Sequence, residues 1–438
     1  MSELPRRALS RGVRLAGLPA GMAGRTALGL GKRLGGRPAE VVAAEMQART
    51  AEQVFSVLGQ LKGGAMKVGQ AMSVFEAALP EEVAGPYRAT LTRLQDAAPA
   101  LPPAVVHEVL RSELGDGWRR LFRDLEDVPV AAASIGQVHR GTWADGRQVA
   151  VKVQYPGAGK ALVSDITQVS RVARVAGGWI PGLELGPVLA EMKERLVEEL
   201  DYTVEAASQR AFAAAFRDDP DFAVPDVLEA TERVLVAEWM DGVPLSTVIA
   251  SGTQEQRDLA SRRYLEFLFL GPSEAGLLHA DPHPGNFRIT PDGRFGALDF
   301  GAVKRLPDGM PPAIGRLLTV ALSDDADGVV EGLRRENFIR PTIDVDAEQL
   351  LDFLTPFLRP VHTELFTFDR AWLRELFARV QDPRTPAWAL GLKLNLPREY
   401  VLIHRVWASG LAVLCQIGGT VPCIEVLEDH LPGFADEG

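Results

Sequence analysis

Apolar residues between positions 54 and 79 recur at alternating spacings of four and three. They are Val54, Leu58, Leu61, Ala65, Val68, Met72, Phe75 and Leu79. This spacing forms one stripe along a helix, so the pattern predicts a helical region that begins near residue 42. Gly59 and Gly63, one turn apart on another side, would let a second backbone approach closely, because glycine has no Cβ. Lys67 and Gln70 would point toward that second backbone.

The periodicity changes between residues 130 and 155. Runs of strand-forming residues on either side of Asp145-Gly146 predict two strands joined by a tight turn, because Asp-Gly favours such turns. A further strand is predicted over Glu232–Met240, and Asp241-Gly242 ends it.

The remaining chain is predicted to be mostly helical. A long helix over Leu189–Phe216 follows a loop at Gly177–Gly186, and short extended segments are expected near positions 279–301. Val406–Ile424 contains no charged residue. We interpret it as a buried helix that ends at its glycine pair, and a membrane span is the less favoured alternative. The sequence thus predicts an α+β fold with strands in one half and helices in the other.

The net charge and the cysteine content limit the classes of partner and of metal or disulfide site that the chain can have. The 438-residue chain has a net charge of −11 at pH 7, which argues against a nucleic-acid partner. Residues 1–38 hold eight Arg and Lys against one acid, Glu3, which is typical either of an unstructured tail or of a surface helix that contacts anionic lipid. The two cysteines, Cys415 and Cys423, form neither a zinc nor a disulfide framework. We expect a cytoplasmic protein, with peripheral contact at the inner face of the membrane left open.

The chemistry of the chain is concentrated in HADPHPGNF and LDFG. Asp281 and Asn286 are five positions apart, as in the catalytic loop of kinases, and Asp299 opens a DFG. Asp281 is the expected base, or the group that orients the attacking oxygen. Asn286 and Asp299 are the expected Mg²⁺ ligands. A less favoured alternative is a metal held by the two histidines that flank Asp281, His279 and His283.

Three further segments predict contacts with ATP. Lys152 in VAVK lies where kinases hold the α and β phosphates. The segment AAAS, which is Ala131, Ala132, Ala133 and Ser134, replaces the Gly-rich loop over the nucleotide. Alanine avoids the positive φ that glycine allows, so this loop should be stiffer. Glu238 and Met240, at the end of the predicted strand, are the expected adenine contacts.

A lysine that binds phosphates needs an acidic partner from a helix. The helix predicted at Leu189–Phe216 contains Glu198, Glu199, Asp201 and Glu205. Glu198, Asp201 and Glu205 would share one helical face. Glu205 is the first candidate for Lys152 and Glu199 is the second.

The chain resembles the UbiB family of atypical kinases (AarF-like). The motifs that carry the resemblance are KVGQ at Lys67–Gln70, AAAS, VAVK, ELDY with Glu199 and Asp201, HADPHPGN, and DFG. The resemblance implies a bilobal protein-kinase-like fold with an N-terminal helical extension that contains KVGQ. It also implies that Lys67 pairs with Glu199 or Asp201, which leaves Glu205 for Lys152. The implied cofactors are ATP and Mg²⁺.

The expected organisation is a basic segment at 1–38, the helical extension at 39–115, a strand-containing lobe at 116–240 and a helical lobe at 241–438. The first functional hypothesis is an ATPase or phosphotransferase that supports isoprenoid-quinone or other lipid metabolism. The second is a nucleotide-dependent regulator or scaffold of lipid-biosynthesis proteins with little turnover. An antibiotic phosphotransferase of the aminoglycoside type shares the catalytic spacing, but KVGQ and AAAS argue against it. Adenine nucleotide is the expected partner, with a lipid or quinone precursor and a membrane surface as further ones.

Overall fold

The computed structural model describes residues 100–133, 135–157, 200–381 and 385–434. Several predictions lie outside these ranges: the basic segment 1–38, the helical extension before residue 100 with Lys67 and Gln70, Ser134, the loop at 177–186, and both Glu198 and Glu199. They stay predictions. The described residues divide into two compact units. The first holds 100–133, 135–157, 200–203 and 229–236, and the second holds 204–228, 237–381 and 385–434.

The described strands are short. In chain order they are β1 (Phe122–Leu125), β2 (Ala131–Ala132), β3 (Gly136–Trp143), β4 (Gln148–Gln154), β5 (Phe222–Ala223), β6 (Val227–Ala230), β7 (Val234–Glu238), β8 (Val243–Pro244), β9 (Leu277–His279), β10 (Phe287–Ile289), β11 (Phe295–Ala297), β12 (Val303–Arg305), β13 (Phe366–Thr367) and β14 (Thr420–Val421). A six-stranded sheet has the order β1-β3-β4-β7-β6, with β2 paired to β3. A four-stranded sheet has the order β5-β11-β10-β8, and β9/β12 and β13/β14 form two-stranded sheets.

The described helices dominate the second half of the chain, as predicted. In chain order they are α1 (Pro103–Leu114), α2 (Tyr202–Ala215), α3 (Leu245–Ser251), α4 (Gln254–Ala275), α5 (Pro312–Leu322), α6 (Ala326–Arg335), α7 (Ala347–Leu358), α8 (Arg370–Gln381), α9 (Pro386–Gly391), α10 (Arg398–Ile417) and α11 (Cys423–His430). Short 3-10 turns lie at Trp118–Leu121, Pro284–Asn286 and Arg359–Val361.

The predicted hairpin is confirmed as β3–β4. Its strands pair antiparallel from Gly136↔Gln154 to Thr142↔Gln148. Gly146 in the turn has φ +106°, a conformation that glycine adopts without strain. On β4, Val149, Val151 and Val153 are fully buried and alternate with partly exposed residues, as the two-residue period of a strand requires.

The prediction of one continuous helix over Leu189–Phe216 is wrong at residues 200 and 201. Leu200 lies in a turn, Asp201 is not helical, and α2 begins at Tyr202. The Asp201 carboxylate accepts hydrogen bonds from Thr203 N (2.9 Å) and Thr203 Oγ1 (2.6 Å). Aspartate at this position satisfies a backbone N–H of the first turn, which favours a helix start here.

The core of the second unit is a cluster of aromatic rings around α4. Phe212, Phe267, Phe287 and Phe300 surround the imidazole of His279, with ring centroids 5.3 to 6.5 Å from it. Because such clusters bury large apolar surfaces in tilted contacts, they hold the short strands β9 and β10 against the helix.

The uncharged segment predicted as a buried helix is confirmed up to its glycine pair. Helix α10 ends at Ile417 and is capped by Gly418, which has φ +72° and donates its N–H to Leu414 O (2.9 Å). Beyond it the chain forms β14 and α11 rather than further helix. Within the described residues, α10 is the one helix long and apolar enough to cross a membrane. Of its most apolar 18-residue stretch, 56% is buried inside the fold. A core helix of a water-soluble protein meets the same criteria.

Both cysteines lie in this C-terminal region. Cys415 is in α10, Cys423 opens α11, and both side chains are buried. Burial raises the pKa of Cys423 to about 12 and also raises the pKa of the Cys415 thiol.

Arg257 closes two helix ends, and its replacement by alanine should destabilise the protein. Its guanidinium donates to Ile417 O (2.6 Å), Ile249 O (2.8 Å) and Gly252 O (3.2 Å). Leaving these carbonyls without the charged donor should lower the free energy of unfolding by about 3 kcal/mol. Urea denaturation measures this, and Arg335→Ala, which removes an exposed ion-pair partner, should change it by less than about 0.5 kcal/mol. Equal effects of the two changes would contradict this role.

Candidate active site

Strand pairing in the second unit brings Asp281 to the DFG turn. β9 pairs antiparallel with β12, and the ladder extends to Ala280 N, which donates to Ala302 O (2.9 Å). Asp281 is the next residue of the chain. It therefore lies beside the turn that contains Asp299.

A second pairing brings Asn286 to the same turn. In the β10–β11 hairpin Phe287 lies opposite Ala297, and Leu298 N donates to Asn286 O (2.9 Å). Asn286 and Asp299 therefore leave the hairpin at the same end. Two independent ladders thus bring Asp281, Asn286 and Asp299 together.

The donor set of these residues fits Mg²⁺. Asn286 Nδ2 donates to Asp281 O (3.0 Å), so Oδ1 is the atom of the amide that remains to accept a cation. Gly301 N donates to Asp299 Oδ1 (3.0 Å) and fixes the direction of that carboxylate. Magnesium in proteins is commonly held by one or two side-chain oxygens together with phosphate oxygens and water.

The alternative metal site with His279 and His283 is wrong. Within the described ranges no group of three or more His, Cys, Asp and Glu side chains is arranged to hold a metal ion. His283 instead accepts a hydrogen bond from Gly285 N (3.1 Å) through Nδ1, and His279 has a buried structural role. Both histidines shape the loop.

Glu205 is a buried carboxylate rather than part of a solvated acidic surface. It is 5% exposed and lies in the first turn of α2. A Cβ added at Gly301 would lie 3.2 Å from Asp299 Oδ1 and 3.6 Å from Glu205 Oε2, so both carboxylates face this glycine. Two neighbouring carboxylates repel each other when they are desolvated. A positively charged group near Gly301 would therefore be stabilised there.

His279 positions the backbone of Asp299. Its Nε2 donates to Asp299 O (2.7 Å), and its side chain is 1% exposed. Burial lowers the pKa of His279, although the negative charges of Asp281 and Asp299 oppose this effect. The ring is therefore a neutral brace between β9 and the DFG turn.

Tyr264 positions the loop after Asp281 and was not identified from the sequence. Its hydroxyl, fully buried on α4, donates to Pro282 O (2.7 Å). Burial and the charge of Asp281 raise the pKa of Tyr264 well above its usual value, so the phenol keeps its proton. The sequence around it gave little signal, because Tyr264 stands between the charged Arg262-Arg263 pair and the apolar run that follows.

In the first unit, Lys152 lies on β4 opposite Val138. Its ammonium is 5.1 Å from the centre of the Tyr202 ring, a cation–π distance. Tyr202 is fully buried at the start of α2, where the Asp201 carboxylate accepts a hydrogen bond from Thr203 N. The lysine is thus positioned by an aromatic ring and is not a solvated strand edge.

The alanine-rich segment forms a tight hairpin. Ala131 and Ala132 pair with β3, and Ala133 and Gly136 exchange N–H···O bonds of 2.8 and 3.4 Å. A Cβ at Gly136 would lie 2.4 Å from Val153 O, so only glycine fits at the end of this loop. The backbone of Ala133 is thus hydrogen-bonded in both directions to the glycine that opens β3.

Residues 238–240 lie at the end of β7. Glu238 N donates to Asp226 O (2.9 Å). The Met240 side chain packs on Gly296 of β11, where a Cβ would clash with its sulfur. The contacts of Glu238 and Met240 with adenine stay predictions.

Two buried neutral histidines should make the protein sensitive to acid. Burial lowers the pKa of His139 as it does that of His279. His139 accepts from Gln137 Nε2 (2.8 Å) and donates to Glu126 O (2.8 Å), a pattern of the neutral ring. Below about pH 6.5 the unfolded chain binds protons that the folded chain excludes, so the free energy of unfolding should fall by up to about 1.4 kcal/mol per pH unit for each histidine. Urea titrations at pH 7.5, 6.5 and 5.5 measure this slope. His139→Gln should reduce it, and a slope of zero would contradict the mechanism.

The sequence matches a known family over more than half its length. Residues 93–333 match the ABC1 atypical kinase-like domain. The atypical kinase COQ8B of rat mitochondria is 30% identical over 387 residues, which is 86% of this chain and 71% of that protein. The zebrafish COQ8B is 30% identical over 314 residues, 70% of this chain and 50% of that protein. The chain thus spans about half the length of the zebrafish relative.

Two further similarities extend over nearly the whole chain. The chloroplast protein Activity of bc1 complex kinase 3 of Arabidopsis thaliana is 29% identical over 98% of this chain and 58% of its own length. The solved complex of the Mycobacterium tuberculosis protein Rv3197 with erythromycin has a TM-score of 0.71 and 42% identity, covering 91% of this chain and 100% of that chain. These similarities confirm the predicted α+β, protein-kinase-like fold. The chain therefore belongs to the ABC1, or UbiB, family of atypical kinases.

Proposed function

We propose that the protein is a Mg²⁺-dependent ATPase or phosphotransferase that supports isoprenoid-quinone or other lipid metabolism. The observation that supports it most is the convergence of Asp281, Asn286 and Asp299 through two separate strand pairings. Asn286 Nδ2 is held by the backbone of Asp281, so the base and one metal ligand are positioned by the same bond. Such preorganisation is what phosphoryl transfer demands of a protein.

Each residue has a role in this proposal. Asp281 accepts the proton of the attacking hydroxyl, from water or an acceptor, as the γ-phosphoryl group leaves ADP. Lys152 holds the α and β phosphates, and Glu205 is its acidic partner. Asn286 and Asp299 hold Mg²⁺, which, when bound, neutralises charge on the phosphate oxygens. Ala131, Ala132 and Ala133 cover the nucleotide.

The decisive experiment measures phosphate release from ATP by the purified full-length chain. We expect hydrolysis with Mg²⁺ and none with EDTA. Vesicles that contain anionic lipid should increase the rate, and high salt should weaken the increase, because exposed charges are screened. Adding a polyprenyl quinone precursor to the vesicles tests the lipid class. Absence of nucleotide binding in calorimetry would reject the proposal.

A regulator with little turnover is the second candidate, and the alanine hairpin favours it. Its two reciprocal backbone bonds and alanine side chains leave little freedom to close over a triphosphate. In this case Mg²⁺-nucleotide binding would be measurable while phosphate release stayed at the buffer level in every lipid. The same assay therefore separates the two candidates.

The mycobacterial relative suggests a further ligand. Because that protein was solved with erythromycin and is 42% identical to this chain, we propose that this chain also binds macrolides. Titration of the purified protein with erythromycin in a calorimeter tests this. Heat equal to dilution alone would reject it without affecting the ATPase proposal.

A further inference from the structure

The segment that leads into α2 crosses one face of β4 in the first unit. Lys152 and Gln154 are two positions apart on this strand, so their side chains leave the same face of the sheet. Leu200 lies beside Gln154, whose Nε2 donates to Leu200 O (3.0 Å). Tyr202 lies beside Lys152, whose ammonium is 5.1 Å from the centre of the tyrosine ring. The two side chains of the strand thus meet two residues of one short segment.

Backbone hydrogen bonds fix the same segment against the sheet. Glu232 and Arg233 precede β7, which is the neighbour of β4 in the six-stranded sheet. Tyr202 N donates to Glu232 O (3.1 Å), and Gln154 N donates to Arg233 O (3.0 Å). Two adjacent carbonyls therefore hold both the backbone of Tyr202 and the end of β4.

Gln154 is a buried amide with a distant partner. The residue is 6% exposed, and a glutamine at this depth is uncommon because a buried amide must be hydrogen-bonded. Its side chain joins β4 to a residue 46 positions farther along the chain. An apolar side chain of similar length would fill the space but would leave Leu200 O without this donor. The amide is therefore the group that ties the segment 200–202 to β4.

The Tyr202 ring is the surface on which the Lys152 ammonium rests. A ring face attracts a cation but has no net charge, so the lysine keeps its positive charge for an anion. Tyr202 also reaches the end of the alanine hairpin, since a Cβ added at Gly136 would lie 2.8 Å from the tyrosine Oη. The ring is 1% exposed and fills the space between the lysine and the start of β3. Its position thus limits where the ammonium can lie.

We propose that Gln154 is a positioning residue for phosphate binding, which holds the segment 200–202 so that the Tyr202 ring supports the Lys152 ammonium. The inference rests on the proposed function, in which Lys152 holds the α and β phosphates. In this role Gln154 contacts no nucleotide atom and acts through Leu200 and Tyr202. Its effect is confined to the phosphates, so adenosine should bind equally well with and without it.

The preference for ADP over adenosine measures the contribution of the lysine. Dissociation constants of both ligands are measured by NMR titration of the full-length protein in Mg²⁺, and the ratio of adenosine to ADP is compared among variants. Lys152→Met should lower this ratio by roughly 30-fold, because a charged donor to phosphate is lost. Gln154→Met should lower it by roughly threefold and leave the adenosine constant unchanged. A general structural defect would weaken both ligands alike, and a wild-type ratio in Gln154→Met would overturn the proposal.

A double variant tests whether Gln154 acts through the lysine. When Lys152→Met is already present, adding Gln154→Met should change the ratio by less than about 1.5-fold, because the group to be positioned is absent. A further threefold loss in that background would overturn the proposal.

Gln148→Met is the matched control. Gln148 is an exposed glutamine of the same strand, and its Nε2 donates to Thr142 Oγ1 (2.9 Å). The replacement is chemically the same as Gln154→Met, but it should leave the constants of both ligands at wild-type values. A loss of the ADP preference equal to that of Gln154→Met would show that the effect is not specific to Gln154 and would overturn its role.

Two replacements of Tyr202 test the ring itself. Tyr202→Phe keeps the aromatic face and should keep at least about half of the wild-type ratio, whereas Tyr202→Leu should lower the ratio about as much as Gln154→Met does. Equal losses in the two would overturn the role of the ring.

The wild-type ratio separates this inference from the proposed function. A wild type that binds adenosine and ADP equally would reject the phosphate contacts of the proposed function, and this inference with them. A wild type that prefers ADP, together with an unchanged ratio in Gln154→Met, would reject the positioning role alone.

Discussion

Asp299→Asn is expected to abolish Mg²⁺-dependent nucleotide binding and to lower ATP hydrolysis by roughly 10³-fold. The side chain keeps its size, and an amide oxygen can still accept the hydrogen bond from Gly301 N. What is lost is the negative charge that, in the proposed function, holds the metal. Calorimetric titration with ADP, with and without Mg²⁺, separates this loss from unfolding.

Asp308→Asn is the matched control for this change. Asp308 is an exposed carboxylate of the same unit, nine positions farther along the chain. Its replacement should leave nucleotide affinity and hydrolysis as in the wild type. If Asp299→Asn bound Mg²⁺-ADP with wild-type affinity, Asp299 would have no metal role.

Asp281→Asn is expected to lower hydrolysis by about 10²- to 10⁴-fold while Mg²⁺-nucleotide affinity changes by only a few fold. The loop should keep its shape, because the bonds from Tyr264 to Pro282 O and from Asn286 to Asp281 O use backbone acceptors. In the proposed function this change removes the proton acceptor and leaves the groups that bind the nucleotide in place.

The measurement compares phosphate release and ADP titration for wild type and Asp281→Asn, with and without quinone-precursor lipids. An unchanged melting temperature shows that the loop is intact. A variant with wild-type turnover would exclude Asp281 as base. Loss of nucleotide affinity would instead make it a metal ligand.

Features with a local cause could be predicted from the sequence. The β3–β4 hairpin follows from runs of strand-forming residues around Asp145-Gly146, whose turn chemistry needs no distant contact. The proximity of Asn286 and Asp299 also has a local cause, since both residues flank the same β10–β11 hairpin. The start of α2 was missed although its signal is local: Asp201 precedes the helix and caps it, but the acidic run was interpreted as one helical face.

Features with a distant cause could not be predicted. Tyr264 lies eighteen positions from Pro282, and the hydrogen bond between them exists only because α4 packs against the loop. The burial of Glu205 depends likewise on the fold around Gly301, since an acidic residue on a helix is usually solvated. The helical or strand periodicity of a sequence gives no information about such contacts.

The burial of the Cys415 and Cys423 thiols has a practical consequence for spectroscopy. Because the thiolate is the reactive form and both groups are buried with raised pKa, maleimide dyes and nitroxide reagents should leave the native chain unlabelled. The chain has two cysteines in all, so a cysteine introduced at a surface position would be the single point of attachment. A pair of such probes, one in each compact unit, would report directly on how the molecule responds when nucleotide is added.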